Sequence, residues 1–237
     1  MYAQDRRNYK YVGIVGLGDI HWMQNMNAYG SEDIKGKLTW GYQYGAKFGW
    51  DVHNKHKFEI GILKMKAGQR RAGDIGSIPF EEILDMNYYV VPVMYKFVLG
   101  DVSQFFRNDF QMYVGTGLRF GYLSGVASSY KIDEKDVDFY AFHTINNDRL
   151  NEIISNPNVT DGSELFKPWD VMWQGFVGAT YFFMDYIAVE LGVEGGVSVL
   201  DINKPEWQIK DQSGSYSPSR NAYIGLNLSL VYYFPYW

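Results

Sequence analysis

Cysteine is absent from the 237-residue chain, so neither a disulfide framework nor a thiolate metal site is open to it. No run approaches the roughly 18 to 20 consecutive apolar residues that a transmembrane helix requires. A bilayer could be crossed by this chain only with strands. Basic residues are in deficit, 22 Lys and Arg against 27 Asp and Glu, for a net charge of -5. That argues against nucleic acid as a partner, because phosphate binding needs a concentrated basic surface. The opening Met1-Tyr2-Ala3-Gln4-Asp5 lacks the apolar core of a secretory signal, and Ala3-Gln4 fits the small-residue remnant left where such a signal has been removed upstream.

Aromatic residues, by contrast, are abundant: 20 Tyr, 15 Phe and 7 Trp, 18% of the chain. They fall in a period of two. From Lys37 to Val52 every even position (Leu38, Trp40, Tyr42, Tyr44, Ala46, Phe48, Trp50, Val52) is apolar or aromatic and every odd one is polar or Gly. Such alternation marks a strand with one greasy and one polar face, and this one exceeds the usual strand of a soluble domain. Between Trp40 and Trp50 a strand climbs about 33 Å, or roughly 25 Å vertically at a barrel tilt, the height of an outer-membrane apolar band. Trp40 and Trp50 are thus expected in two interfacial aromatic girdles, with Trp173, Tyr232 and Phe234 as further interface aromatics.

The pattern recurs at Tyr9–Asp19, Lys57–Ala67, Asn87–Leu99, Phe110–Gly125, Trp169–Phe183, Tyr186–Asp201 and Asn221–Phe234, giving eight strands. Their connections alternate in length. Met23–Gly36, Gly68–Met86, Val126–Pro168 and Ile202–Arg220 are long, whereas His53–His56, Gly100–Asp109 and Met184–Asp185 are shorter. The expectation is one domain over residues 1–237: a closed antiparallel up-and-down transmembrane β-barrel with a polar, filled lumen, in a bacterial outer membrane. Its termini would be periplasmic and its long loops extracellular, 126–168 the longest, with a short helix around Asn147–Ile154. A soluble lipocalin-like barrel is disfavoured, because large aromatics occupy the face opposite the glycines.

Two segments carry a family resemblance: Asn87-Tyr88-Tyr89-Val90-Val91-Pro92-Val93-Met94-Tyr95-Lys96-Phe97, then Tyr113-Val114-Gly115-Thr116-Gly117-Leu118-Arg119-Phe120-Gly121-Tyr122-Leu123. They resemble the PorT-like outer-membrane β-barrel family of Bacteroidota, in which an extended segment with a Pro before a Lys-Tyr or Tyr-Lys pair precedes a Tyr-x-Gly-x-Gly strand. The hairpin from Gly45 to Gln69 resembles that family's second and third strands. The resemblance implies a small outer-membrane barrel and, since some members are implicated in protein secretion across the outer membrane, other outer-membrane or periplasmic proteins as partners. At the C-terminus Leu230, Tyr232, Phe234 and Tyr236 keep the apolar phase, and Trp237 adds one residue out of phase.

The polar parity places Gln43, Lys47, Glu59, Lys96, Gln111, Arg119, Gln174, Glu190 and Glu194 in the lumen, with Gly41, Gly45, Gly61, Gly115, Gly117, Gly121 and Gly192 between them. An eight-stranded barrel has room inside only for side chains. Lys47, Lys96 and Arg119 should therefore pair with Glu59, Glu190 and Glu194 as a lumen ionic network, Glu190 and Glu194 serving as partners of Arg119 and Lys47. His53 and His56 are too few to hold a metal, Asp133–Asp138 lacks the spacing of a calcium loop, and Gly192-Val193-Glu194-Gly195-Gly196 is strand rather than phosphate-binding loop. No catalytic, cofactor or metal site is assigned. Three readings follow: a non-enzymatic subunit or accessory of an outer-membrane protein complex, contacting lipid with its wall; a stand-alone barrel binding an external ligand through its loops; and, least favoured, a hydrolase using Asp19, His21 or His143 near the rim.

Overall fold

The computed structural model describes residues 9–24, 35–53, 55–75, 78–101, 110–132, 135–137, 166–205 and 218–235. Ten strands are present: β1 (Tyr9–Gln24), β2 (Lys35–Lys37), β3 (Thr39–Val52), β4 (His56–Ile75), β5 (Ile78–Asp101), β6 (Phe110–Ile132), β7 (Lys135–Val137), β8 (Trp169–Met184), β9 (Ile187–Ser198) and β10 (Arg220–Pro235). β2 and β3 both pair β4 and together make one wall strand, while β7 only extends the far end of β6. The remaining neighbours are sequential and antiparallel, and β1 pairs β10 as well as β3. The sheet is therefore a closed eight-stranded barrel.

Register sets its shape. Stepping between paired residues from Val12 through Phe48, Ile60, Val93, Leu118, Trp173, Val197 and Ala222 returns to β1 at Trp22, ten residues further on. Eight strands with that stagger, at ~3.3 Å per residue and ~4.7 Å between strands, tilt about 40° from the axis. The turn after β3 holds His53 at a positive φ of 55°.

The outer wall is apolar around the circumference: Ile14, Trp40, Ile62, Tyr89, Phe120, Trp173, Leu191 and Leu226 are all exposed. A soluble protein does not present such a belt to water, and the chain spans a membrane with these strands.

The expected loop Gly68–Met86 is instead a continuation of the wall. β4 and β5 stay paired residue by residue from Ala67↔Met86 to Ile75↔Ile78. At 24 residues β5 rises about 60 Å at this tilt, against about 25 Å of apolar band, so β4, β5 and β6 project well past the bilayer at the loop end. The alternation inverts there. Leu63, Met65, Ala67, Leu84 and Met86 point inward and are buried, while Lys66, Arg70, Asp85 and Asn87 point outward. Once water replaces lipid outside, the apolar parity turns to the interior, and a pattern sought as greasy-outside loses its signal although pairing continues. The stretch Val126–Pro168 likewise opens as strand, β6 running to Ile132; the expected helix at Asn147–Ile154, the acidic run's Asp133, Glu134 and Asp138, and His143 lie outside the described residues.

Candidate functional site

Inward parity and register together carry polar side chains from opposite walls to the barrel axis. Lys47 of β3, Glu59 of β4, Lys96 of β5 and Glu190 of β9 meet in one layer. Lys47 Nζ lies 2.5 Å from Glu190 Oε2 and 3.5 Å from Glu59 Oε1, and Lys96 Nζ lies 2.6 Å from Glu59 Oε1 and 2.8 Å from Glu190 Oε2. Tyr11 donates its hydroxyl to Glu59 Oε1 at 2.8 Å, and the Lys96 ammonium sits 4.5 Å from the centroid of the Tyr113 ring. Two ammonium groups and two carboxylates so arranged cancel in charge, which offsets the cost of removing them from water.

A second layer lies nearer the loop end. The Arg119 guanidinium donates from Nη1 to Gln43 Oε1 at 2.5 Å, from Nε to Gln174 Oε1 and from Nη2 to Glu194 Oε1. Glu194 accepts in addition from Asn227 Nδ2 at 3.0 Å, with the Tyr223 hydroxyl 3.1 Å away. The planar fork of Arg suits this task, three donors reaching three different strands. A void of about 30 Å³ bordered by Lys47, Glu59, Lys96, Arg119 and Glu194 separates the layers, room for a water and no solute.

Sequence parity thus brings together Lys47, Glu59, Lys96 and Glu190, and separately Arg119 with Glu194. It missed a third layer near the termini, where buried Lys57 lies 3.7 Å from Asp51 and donates to the Tyr233 hydroxyl at 3.0 Å. It also missed Asp170, which accepts from Ser198 at 2.8 Å and Asn221 at 3.1 Å. Both acids sit at strand ends on the inward parity, a signal that was available and that turn proximity obscured. The lumen is not polar throughout: above the Arg119 layer Leu17, Leu63, Met65, Met86, Tyr88, Val90, Leu123 and Met172 form an apolar core. Gln111 faces Lys57 at 3.4 Å.

The inward glycines make room for these groups. A side chain at Gly49 would run into the Tyr11 ring, and one at Gly41 into His21 and Asp19. Gly49→Leu should cost about 1–3 kcal/mol by displacing Tyr11 from Glu59, read as a lower urea midpoint for the refolded barrel; an unchanged midpoint would show that the Tyr11 position is not fixed by this contact.

Asp19 and His21 are buried within the lumen, Oδ1 to Nε2 2.7 Å apart, with Gln43 Nε2 donating to Asp19 Oδ2 at 2.6 Å. Their cross-strand neighbours are Gly41 and Thr39. Their interior position is unlike the exposed rim position expected of a hydrolase acting on large substrates. His56 is engaged with the Tyr95 hydroxyl at 2.7 Å, and among the described residues no group of three His, Cys, Asp or Glu could hold a metal ion.

On the outer wall Trp40 and Trp50 face outward at the two ends of β3. Tyr232 and Phe234 lie against each other, tilted, at the terminal end with ring centroids 6.2 Å apart. Trp173 is outward too, yet Trp169, four residues and about 10 Å nearer the loop end, pairs with Tyr122 at 5.0 Å and lies closer to the level of Trp40.

No family model matches the chain, and no curated protein does. Among solved structures it is similar to Neisserial surface protein A (8% identity, 93% of this chain and 96% of that chain, TM-score 0.41). It is similar also to the outer membrane protein OprG from Pseudomonas aeruginosa (11% identity, 98% of each chain, TM-score 0.47). A third is Ail, the attachment invasion locus protein of Yersinia pestis (9% identity, 94% of this chain and 98% of that chain, TM-score 0.36). Closure of the barrel is established by its own strand register.

Proposed function

We propose that this chain is a non-enzymatic barrel of a bacterial-type outer membrane that works as a subunit or accessory of an outer-membrane protein complex, of the secretion or assembly kind for which the PorT-like resemblance speaks. Its termini are periplasmic and its long loops extracellular. The observation that carries the reading is the lumen: two ionic layers reach from wall to wall and an apolar core lies above them, so solutes have no path and the work falls to the outer surfaces. The arm formed by β4, β5 and β6 beyond the bilayer, with outward Arg70, Ser129 and Lys131, offers a rigid surface to a partner.

Reconstituted in a planar bilayer, the protein should conduct no ions in steps above baseline; stable open channels would overturn the sealed-barrel part of the reading. Purified by tag from its native membrane in a gentle detergent, it should bring down a stoichiometric partner, and shortening the β4–β5 arm should release it. Recovery of the intact barrel alone under those conditions would overturn the subunit reading and leave a loop-binding barrel in its place.

A further inference from the structure

Ala46 faces outward with one methyl group where its neighbours are large. Its register partners are Ile14 and Ile62, and Tyr44 and Phe48 flank it on its own strand. A groove of about 840 Å³ opens there on the lipid side, lined chiefly by Val12, Ile14, Phe48, Ile60, Ile62 and Val91. Its size lies in the range of small-molecule sites, about 300–1,000 Å³, and its lining is almost wholly apolar.

The outward parity of β4 continues from Ile62, which lines the groove, to Lys64, so a cation stands one outward position beyond the lining on the loop side. Its cross-strand neighbours are Tyr44 and Tyr89, both outward and half exposed. Trp40, four residues beyond Tyr44 toward the loops, still faces outward at 78% exposure, which puts Lys64 on the lipid side of the aromatic girdle. Lys66 is paired with Asp85 at 2.8 Å, whereas Lys64 has no ion pair or hydrogen bond among the described residues. A lipid-facing cation is unfavourable against hydrocarbon and favourable against a phosphate.

We propose that the groove and Lys64 together hold one phosphate-bearing lipid of the leaflet on the loop side, an acyl chain lying over Ala46 and the headgroup phosphate on the Lys64 ammonium between Tyr44 and Tyr89. The site needs only that the wall face lipid and is independent of any protein partner. The test is native mass spectrometry of the barrel in maltoside detergent, titrated with dioleoyl phosphatidic acid. One lipid should be retained per chain, and Lys64→Gln should weaken retention about tenfold, the scale of one charge-assisted contact. Ala46→Phe, which keeps the cation and fills the groove, should weaken it comparably, with Ala46→Leu as the milder second variant. Lys131→Gln, an exposed cation on the projecting arm, should change nothing. The proposal falls if Lys64→Gln or both Ala46 variants retain the lipid as before. It falls equally if dioleoylglycerol, which lacks the phosphate, is held as well, or if millimolar inorganic phosphate displaces the lipid completely.

Discussion

Leu226→Arg should lower the stability of the barrel in lipid vesicles by about 2–4 kcal/mol, measured by urea unfolding with tryptophan fluorescence. Leu226 is 64% exposed on β10, where its register partners are Gly18 and Val193, midway along the wall between the outward aromatics of the two ends. In a soluble barrel a charge at a position this open would shift stability by no more than about 0.5 kcal/mol. In a bilayer the guanidinium sits at the midplane, too far from either headgroup region to reach water without thinning the membrane. The same substitution therefore separates the two environments by size. A change within about 0.5 kcal/mol in vesicles would remove the membrane-spanning account of the wall.

Removing Arg119 should be the most damaging single change inside. Arg119→Met leaves the Glu194 carboxylate without its cation, and Gln43 and Gln174 each lose a donor, all in a site with little solvent access. A buried pair broken on one side typically costs about 3–5 kcal/mol, and urea unfolding of the refolded protein should report a loss of that order. The double variant Arg119→Met with Glu194→Met should recover part of the loss, because the stranded charge goes with its partner. If the double variant is as unstable as the sum of the two single ones, Arg119 and Glu194 are not coupled and the layer is held by packing alone.

The contrast between those two experiments reflects what alternation in a barrel strand encodes. Within the bilayer it has one meaning, and Lys37–Val52 could be read at sight: even positions to lipid, odd positions to the lumen. The same parity put Lys47, Glu59, Lys96, Arg119, Glu190 and Glu194 inside, since ionic groups facing the middle of the bilayer are costly. Beyond Lys64 and before Asn87 the solvent outside changes from lipid to water, and the pattern reverses. Lys66 and Arg70 then resemble the end of a strand, although β4 runs on to Ile75. Lys57, Asp51 and Asp170 were hidden for a related reason, because a charge at a strand terminus is equally at home in a turn.

Eight strands, their facing within the bilayer and the six charges of the two central lumen layers were determined by the amino-acid order alone, because period two against two different surroundings is a local property of the chain. Which Lys meets which Glu was decided only by the tertiary structure. The return of the register circuit from Val12 to Trp22 sets how far each strand is staggered against the next, and that stagger brings Lys47 to Glu190 across 143 residues of sequence and carries Arg119 to Gln43, Gln174 and Glu194 at once. Closure has no local signature, since it is a sum over eight registers, and the sealed lumen and the lipid-side groove at Ala46 both follow from it.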